Sequence, residues 1–294
     1  MTAGIPTLPG PRLRSLLAGY ERIVAQRRRH FLLVVVAIAL LAVIAAQFSE
    51  VDAGNLLNHL PGLTSYFGRI MPKLRISHLT GDIADWYWGF FHWLELLFDT
   101  LLIAYLATVT GALGACALSF LAADNLTPSR SLRWLIKRLF EFCRTVPDLV
   151  FALLFVSAFG LGPLPGVLAV GLHTFGTLGK LFTEVTENID MKPVEGVRGT
   201  GGRFTDVVRF AVLPQILPNL ASYALLRFEI NVRASSIVGF VGAGGIGQDL
   251  FVAIREFYYS DVSAILLLII VTVSIIDILT QYVRYRLAPM ERAS

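Results

Sequence analysis

The segment Glu195-Gly-Val-Arg-Gly-Thr-Gly-Gly-Arg-Phe-Thr-Asp-Val-Val-Arg-Phe-Ala-Val-Leu-Pro214 is glycine-rich and charged in its first half and amphipathic in its second, and long apolar runs flank it on both sides. Those runs have the length and composition of membrane spans. A water-loving segment between spans is a place where something outside the bilayer can take hold. Its local chemistry predicts two short helices meeting at a glycine corner. Pro193 suits a first helical position, and Gly201 or Gly202 can supply the left-handed residue that ends the first helix. From Thr205 to Leu213 the apolar residues cover much of a helix surface, while Asp206 and Arg209 remain polar.

Composition agrees with a membrane setting. The chain has 294 residues, 55% of them apolar and only 16% charged, and its mean hydropathy is +0.66; an ordinary soluble domain is less apolar and more charged. The net charge of +4 comes from arginine clusters beside apolar runs, which sets topology and argues against nucleic acid as a partner. Cys116 and Cys143 lie in or beside apolar runs without ligand spacing, so neither a disulfide framework nor a metal site is expected.

Outward from the central segment, the sequence divides into six predicted transmembrane helices and an all-α membrane protein. Residues 1–30 form an expected cytoplasmic tail ending in Arg27, Arg28 and Arg29, and 31–48 the first span. The flank of this run lacks a good small-residue cleavage site and more spans follow, so it is expected to stay uncleaved. Residues 49–90, with Trp86, Tyr87 and Trp88 at the far end, read as an extracytoplasmic loop re-entering the bilayer near Phe90. Residues 91–286 hold the remaining spans, at about 94–121, 139–159, 167–182, 216–241 and 262–282, and 287–294 form a second tail. The second span carries small residues on two ridges, including Ala104, Thr108, Ala107 and Gly111, which predicts a central helix closely approached by its neighbours. Lys and Arg concentrate on the loops that share a side with both termini and with the 195–214 segment, so that side is assigned to the cytoplasm.

In its spacing, with Glu195, Gly196 and Val197, then Gly201, then Leu213 and Pro214, the central segment resembles the EAA loop of ABC importer permeases. Gly196 and Val197 stand where that pattern usually has two alanines. The resemblance implies the type I importer permease fold, with cytoplasmic coupling helices between spans 4 and 5 seated on an ATPase. Three further segments, Arg144-Thr-Val-Pro-Asp-Leu149, Gly162-Pro-Leu-Pro-Gly-Val-Leu-Ala169 and Phe228-Glu-Ile-Asn-Val-Arg233 leading to Gly239-Phe-Val-Gly-Ala-Gly-Gly-Ile-Gly247, look like the phosphonate importer permeases of the PhnE type. This similarity spans about residues 90–286. It implies import of phosphonate or a related phosphorus oxyanion, phosphate or phosphite, across a bacterial inner membrane. It also implies a second permease copy, two ATPase subunits carrying ATP and Mg, and an extracytoplasmic binding protein. A permease for methionine or a quaternary amine is the alternative, since such proteins also end a span in a glycine-rich turn.

Other features narrow the chemistry. No G-x-x-x-x-G-K-[ST] sequence occurs, so the chain is expected to be no enzyme and to hold no cofactor, with ATP hydrolysis on a partner. Gly242, Gly244 and Gly247 formally match a dinucleotide fingerprint, but a span rather than a strand precedes them. With Gly245 they read instead as a sharp turn at the outer end of the fifth span. Charges inside spans are costly, roughly 2.5–3.5 kcal/mol on the insertion scale, and should face protein or water. Glu229 and Arg233 are one helical turn apart and can pair; Arg144 and Asp148 share that spacing. Together with Arg227 these residues are candidates for the substrate path or, equally, for internal salt bridges. Arg233 is the first choice for an anion contact, as it falls in the outer half of its span.

Overall fold

A computed structural model describes residues 10–48, 53–72 and 75–287; the ends of both expected tails and residues 49–52 lie outside the described residues. Every described element is helical, and the chain divides into two compact units, residues 1–68 and 69–294. In the first unit, α1 runs without a break from Gly10 to Phe48. The helix passes without a break through residue 30, the expected boundary of tail and span, because Arg22 and Arg27 to Arg29 are good helix formers. The expected loop at residues 49–90 contains helix α2 (Ala53–Ile70) and, towards its far end, α3 (Leu79–Trp86).

The second unit is built around α4 (Phe90–Ala122) and α7 (Pro163–Glu187), which pack along each other. The small ridges of α4 set this approach: a Cβ on Gly111 would sit 2.9 Å from the Gly171 carbonyl of α7. Lipid offers apolar side chains as good a home as protein does, so close backbone packing rather than hydrophobic burial draws these helices together. Around the pair stand α5 (Arg130–Thr145), α6 (Asp148–Phe159), α10 (Leu213–Val238), α11 (Ile246–Arg255) and α12 (Tyr259–Leu287).

Among the described residues three helices, α1, α4 and α12, are long and apolar enough to cross a membrane alone, and counting each bent pair as one span gives up to five. Helix α7, of 25 residues, is long enough but carries His173, Thr174, Thr177 and Lys180. It sits among α4, α5, α6 and α10, where polar side chains find protein partners instead of lipid.

The expected third span corrects to two helices. Residues 130–138, which fall between the expected second and third spans, begin the amphipathic helix α5, whose N-cap Ser129 accepts from the Leu132 N–H. The chain then turns by 87° between α5 and α6. Pro147 causes the break: it disfavours helical backbone in the residue before it, and Val146 is extended at φ −76°, ψ 125°. Arg144 and Asp148 are therefore on different helices, and no ion pair joins them among the described residues. Past the glycine turn the residues between the expected fifth and sixth spans also form a helix, α11. Trp86 and Trp88 anchor this end, donating to Ser263 Oγ at 3.0 Å and Asp261 Oδ1 at 3.1 Å.

Candidate functional site

The Glu195–Pro214 segment folds as α8 (Met191–Gly199), a turn, a single helical turn α9 (Phe204–Asp206) and a π-helical stretch Val207–Val212 that runs into α10. Asp190 caps α8 by accepting from the Lys192 N–H at 3.0 Å, which puts Pro193 at the third position rather than the first. The substitution of place costs nothing, since that N–H has no intrahelical partner either. Gly201 takes the left-handed conformation at φ 82°. Its neighbour Gly202 serves a different need, since a Cβ there would lie 2.7 Å from Val197 Cγ1.

One side of this segment is anchored. Val194, Val207, Ala211 and Val212 are buried in a cluster with Leu126, Leu178 and Phe182, and Val197 and Leu213 pack against it. Burial of each such side chain is worth about 1.5–3 kcal/mol where water is the alternative. The other side presents Glu195, Gly196, Arg209, Phe210 and Pro214 outward. The π-helix has a local cause: Pro214 has no N–H for the Phe210 carbonyl, and the widened ladder, with Leu213 N–H bonded to Val208 O, relieves the ring's clash with that turn.

Gln215 locks the segment's two ends together, a role the sequence did not disclose. Its Oε1 accepts from Asp190 N–H at 3.1 Å, while Nε2 donates to Asp190 O at 3.2 Å and Ala211 O at 2.6 Å. Gln215→Leu is expected to raise trypsin cleavage at Arg198 and Arg203 about fivefold, corresponding to roughly 1 kcal/mol of lost hydrogen bonding. Unchanged cleavage would remove Gln215 from this role. Nearby, Asp124 bonds Lys137 at 3.0 Å and Arg133 at 2.9 Å. Chiefly through the Lys137 hydrogen bond, its carboxyl is held below the usual carboxylate range.

A second polar group lies midway along the bundle. Asn231 of α10 donates to Thr108 Oγ1 of α4 at 2.8 Å and to Thr174 Oγ1 of α7 at 2.9 Å. One turn before it, Arg227 donates from Nε to Thr174 Oγ1 at 3.3 Å and from Nη2 to His173 Nδ1. The other ring nitrogen, Nε2, donates to the Arg144 carbonyl at 3.2 Å. These two partners fix a neutral imidazole with its proton on Nε2. Asp148 lies close enough to act on Arg227 and His173 electrostatically.

Of the charged residues singled out from sequence, Arg144, Asp148 and Arg227 thus gather at the α5–α6 break. Glu229 and Arg233 do not join them. They form the expected pair at 2.7 Å, and Arg284 of α12 also reaches Glu229, at 3.6 Å. Sequence reasoning missed His173, though an ionisable residue halfway along a span is itself a signal.

The glycines at 242–247 make a backbone-on-backbone corner. Gly242, Gly244 and Gly245 all have φ between 79° and 85°. Gly242 O accepts from Gly162 N–H at 3.0 Å and Thr100 Oγ1 accepts from Ile246 N–H at 2.9 Å. Gly247 rests on the Ser236 carbonyl with no room for a side chain.

Comparisons with known proteins agree with this arrangement. Residues 115–292 match the family model described as the binding-protein-dependent transport system inner membrane component. The chain is 39% identical to the phosphite transport system permease protein PtxC of Stutzerimonas stutzeri over 77% of this chain and 78% of that one. It is 42% identical to the phosphate-import permease protein PhnE of Mycolicibacterium smegmatis over 68% of this chain, a region that is 37% of the longer relative. Among solved structures, an inward-facing MetNI methionine ABC transporter shares the fold, with a TM-score of 0.55 at 18% identity over 67% of this chain and 96% of that one.

Proposed function

Because the chain belongs to the family of binding-protein-dependent transport system inner membrane components, we propose that it is the permease subunit of an ATP-driven importer of a phosphorus oxyanion: phosphonate, phosphite or phosphate. The family is one of multi-pass transport permeases rather than enzymes. The observation that carries the coupling part of this reading is the segment from Glu195 to Pro214, rigidly held on one side by Val194, Val207 and Val212 and bare on the other. Such a surface suits an ATPase groove. The names of the similar permeases support the substrate class. A second permease copy, two ATPase subunits holding ATP and Mg, and an extracytoplasmic binding protein complete the proposed assembly.

The test is uptake by the assembled complex in proteoliposomes with its ATPase and binding protein. Labelled phosphite or phosphate is expected to enter with ATP hydrolysis, and methionine is not; the reverse would transfer the chain to the alternative solute class. Orientation is tested separately. With both termini and the coupling segment in the cytoplasm, a cysteine at Thr200 should be labelled only from the cytoplasmic side and one at Ser65 only from outside. The opposite labelling pattern would refute this topology.

A further inference from the structure

Resting on the reading of this chain as a phosphorus-oxyanion permease, we infer that Arg227, held by His173, receives the anion within the bundle, with Arg144 at the mouth of the site. Arg227 is only 8% exposed, yet no ion pair joins it to a carboxylate among the described residues. Its two hydrogen bonds go to neutral acceptors, Thr174 Oγ1 and His173 Nδ1, and among the described residues its Nη1 amino group has no hydrogen-bond partner. A buried cation without a carboxylate in direct contact is costly, and a guanidinium offers parallel N–H groups that fit a phosphorus oxyanion two at a time. Arg233, by contrast, is already held by Glu229 at 2.7 Å.

His173 is a positioning residue. As a neutral acceptor it fixes the guanidinium without cancelling its charge, which a carboxylate in the same place would do. Access is by the α5–α6 break, where Arg144 is exposed and Asp148 and His173 are half-buried. Asp148 opposes the anion there. The opposition keeps the site weak, as a transport path requires, since an ion held tightly does not leave.

The experiment compares uptake of labelled phosphite and phosphate by the full complex with complex yield in detergent. Arg227→Gln is expected to lower uptake at least tenfold at wild-type yield, and Arg227→Lys, which keeps the charge but not the fork, to raise KM severalfold. His173→Gln can accept from Arg227 and donate to the Arg144 carbonyl, and should stay within twofold of wild type. His173→Glu sets a carboxylate against the guanidinium: yield should hold while uptake is lost, whereas a merely structural pair would tolerate this new salt bridge. Should Arg227→Gln not assemble, Arg227→Lys and His173→Glu decide. Near wild-type uptake in both, or loss of yield in every variant, overturns the inference and leaves the permease reading standing. A wild-type complex that moves methionine but no phosphorus oxyanion overturns both.

Discussion

Glu195→Ala is expected to leave insertion and yield of the chain unchanged and to abolish ligand-stimulated ATP hydrolysis by the assembled complex. The structure makes this substitution unusually informative. Glu195 is exposed, and no hydrogen bond or ion pair of its side chain occurs within the chain among the described residues. Its removal therefore costs this chain nothing, and alanine favours the α8 helix. Any functional loss has to come from a partner that touches the carboxylate. Gly201→Leu reaches the same point by another route. Space is open where its side chain would go, but the left-handed backbone at φ 82° costs a branched residue about 1–2 kcal/mol. The corner between α8 and α9 then relaxes while the spans, far from it, stay packed. Measurement of ATPase stimulation beside complex yield checks both variants; normal stimulation in both would sink the coupling role.

The second large effect concerns the glycine corner between α10 and α11. Gly247→Val should abolish recovery of folded chain, because any Cβ at this position would collide with the Ser236 carbonyl and crowd Gly239 Cα at 3.2 Å. Neither neighbour is a flexible side chain that could swing away. The backbone of α10 and α11 would have to separate, and overpacking of about 1–3 kcal/mol is then a lower bound. Gly81→Ala, in α3 with nothing within 4 Å of the added carbon, is the matched control and should be neutral or slightly stabilising. Equal yields from the two would show that the α10–α11 contact is not a structural requirement. These glycines serve packing at this end of α10; none of the described residues forms the strand that a dinucleotide fold would need.

What the sequence determined by itself is local. Hydropathy placed the chain in a membrane, the glycine pair marked the corner at 201–202, and the four-residue spacing of Glu229 and Arg233 gave a pair that one helix can form alone. The small ridges on α4 also showed that a neighbour would come close, though not which one. Pro147 was visible too, but reading residues 139–159 as a single apolar run concealed what it does. Its effect on Val146 turns the chain by 87° and separates Arg144 from Asp148. Only the tertiary structure decided the buried polar group. Arg227 and His173 are 54 positions apart, and Asn231 and Thr108 are 123 apart. Their meeting depends on the rotation of α10, α7 and α4 about their axes. Interhelical backbone contacts such as Gly111 against Gly171 set that rotation, whereas periodicity along one helix specifies only its own faces.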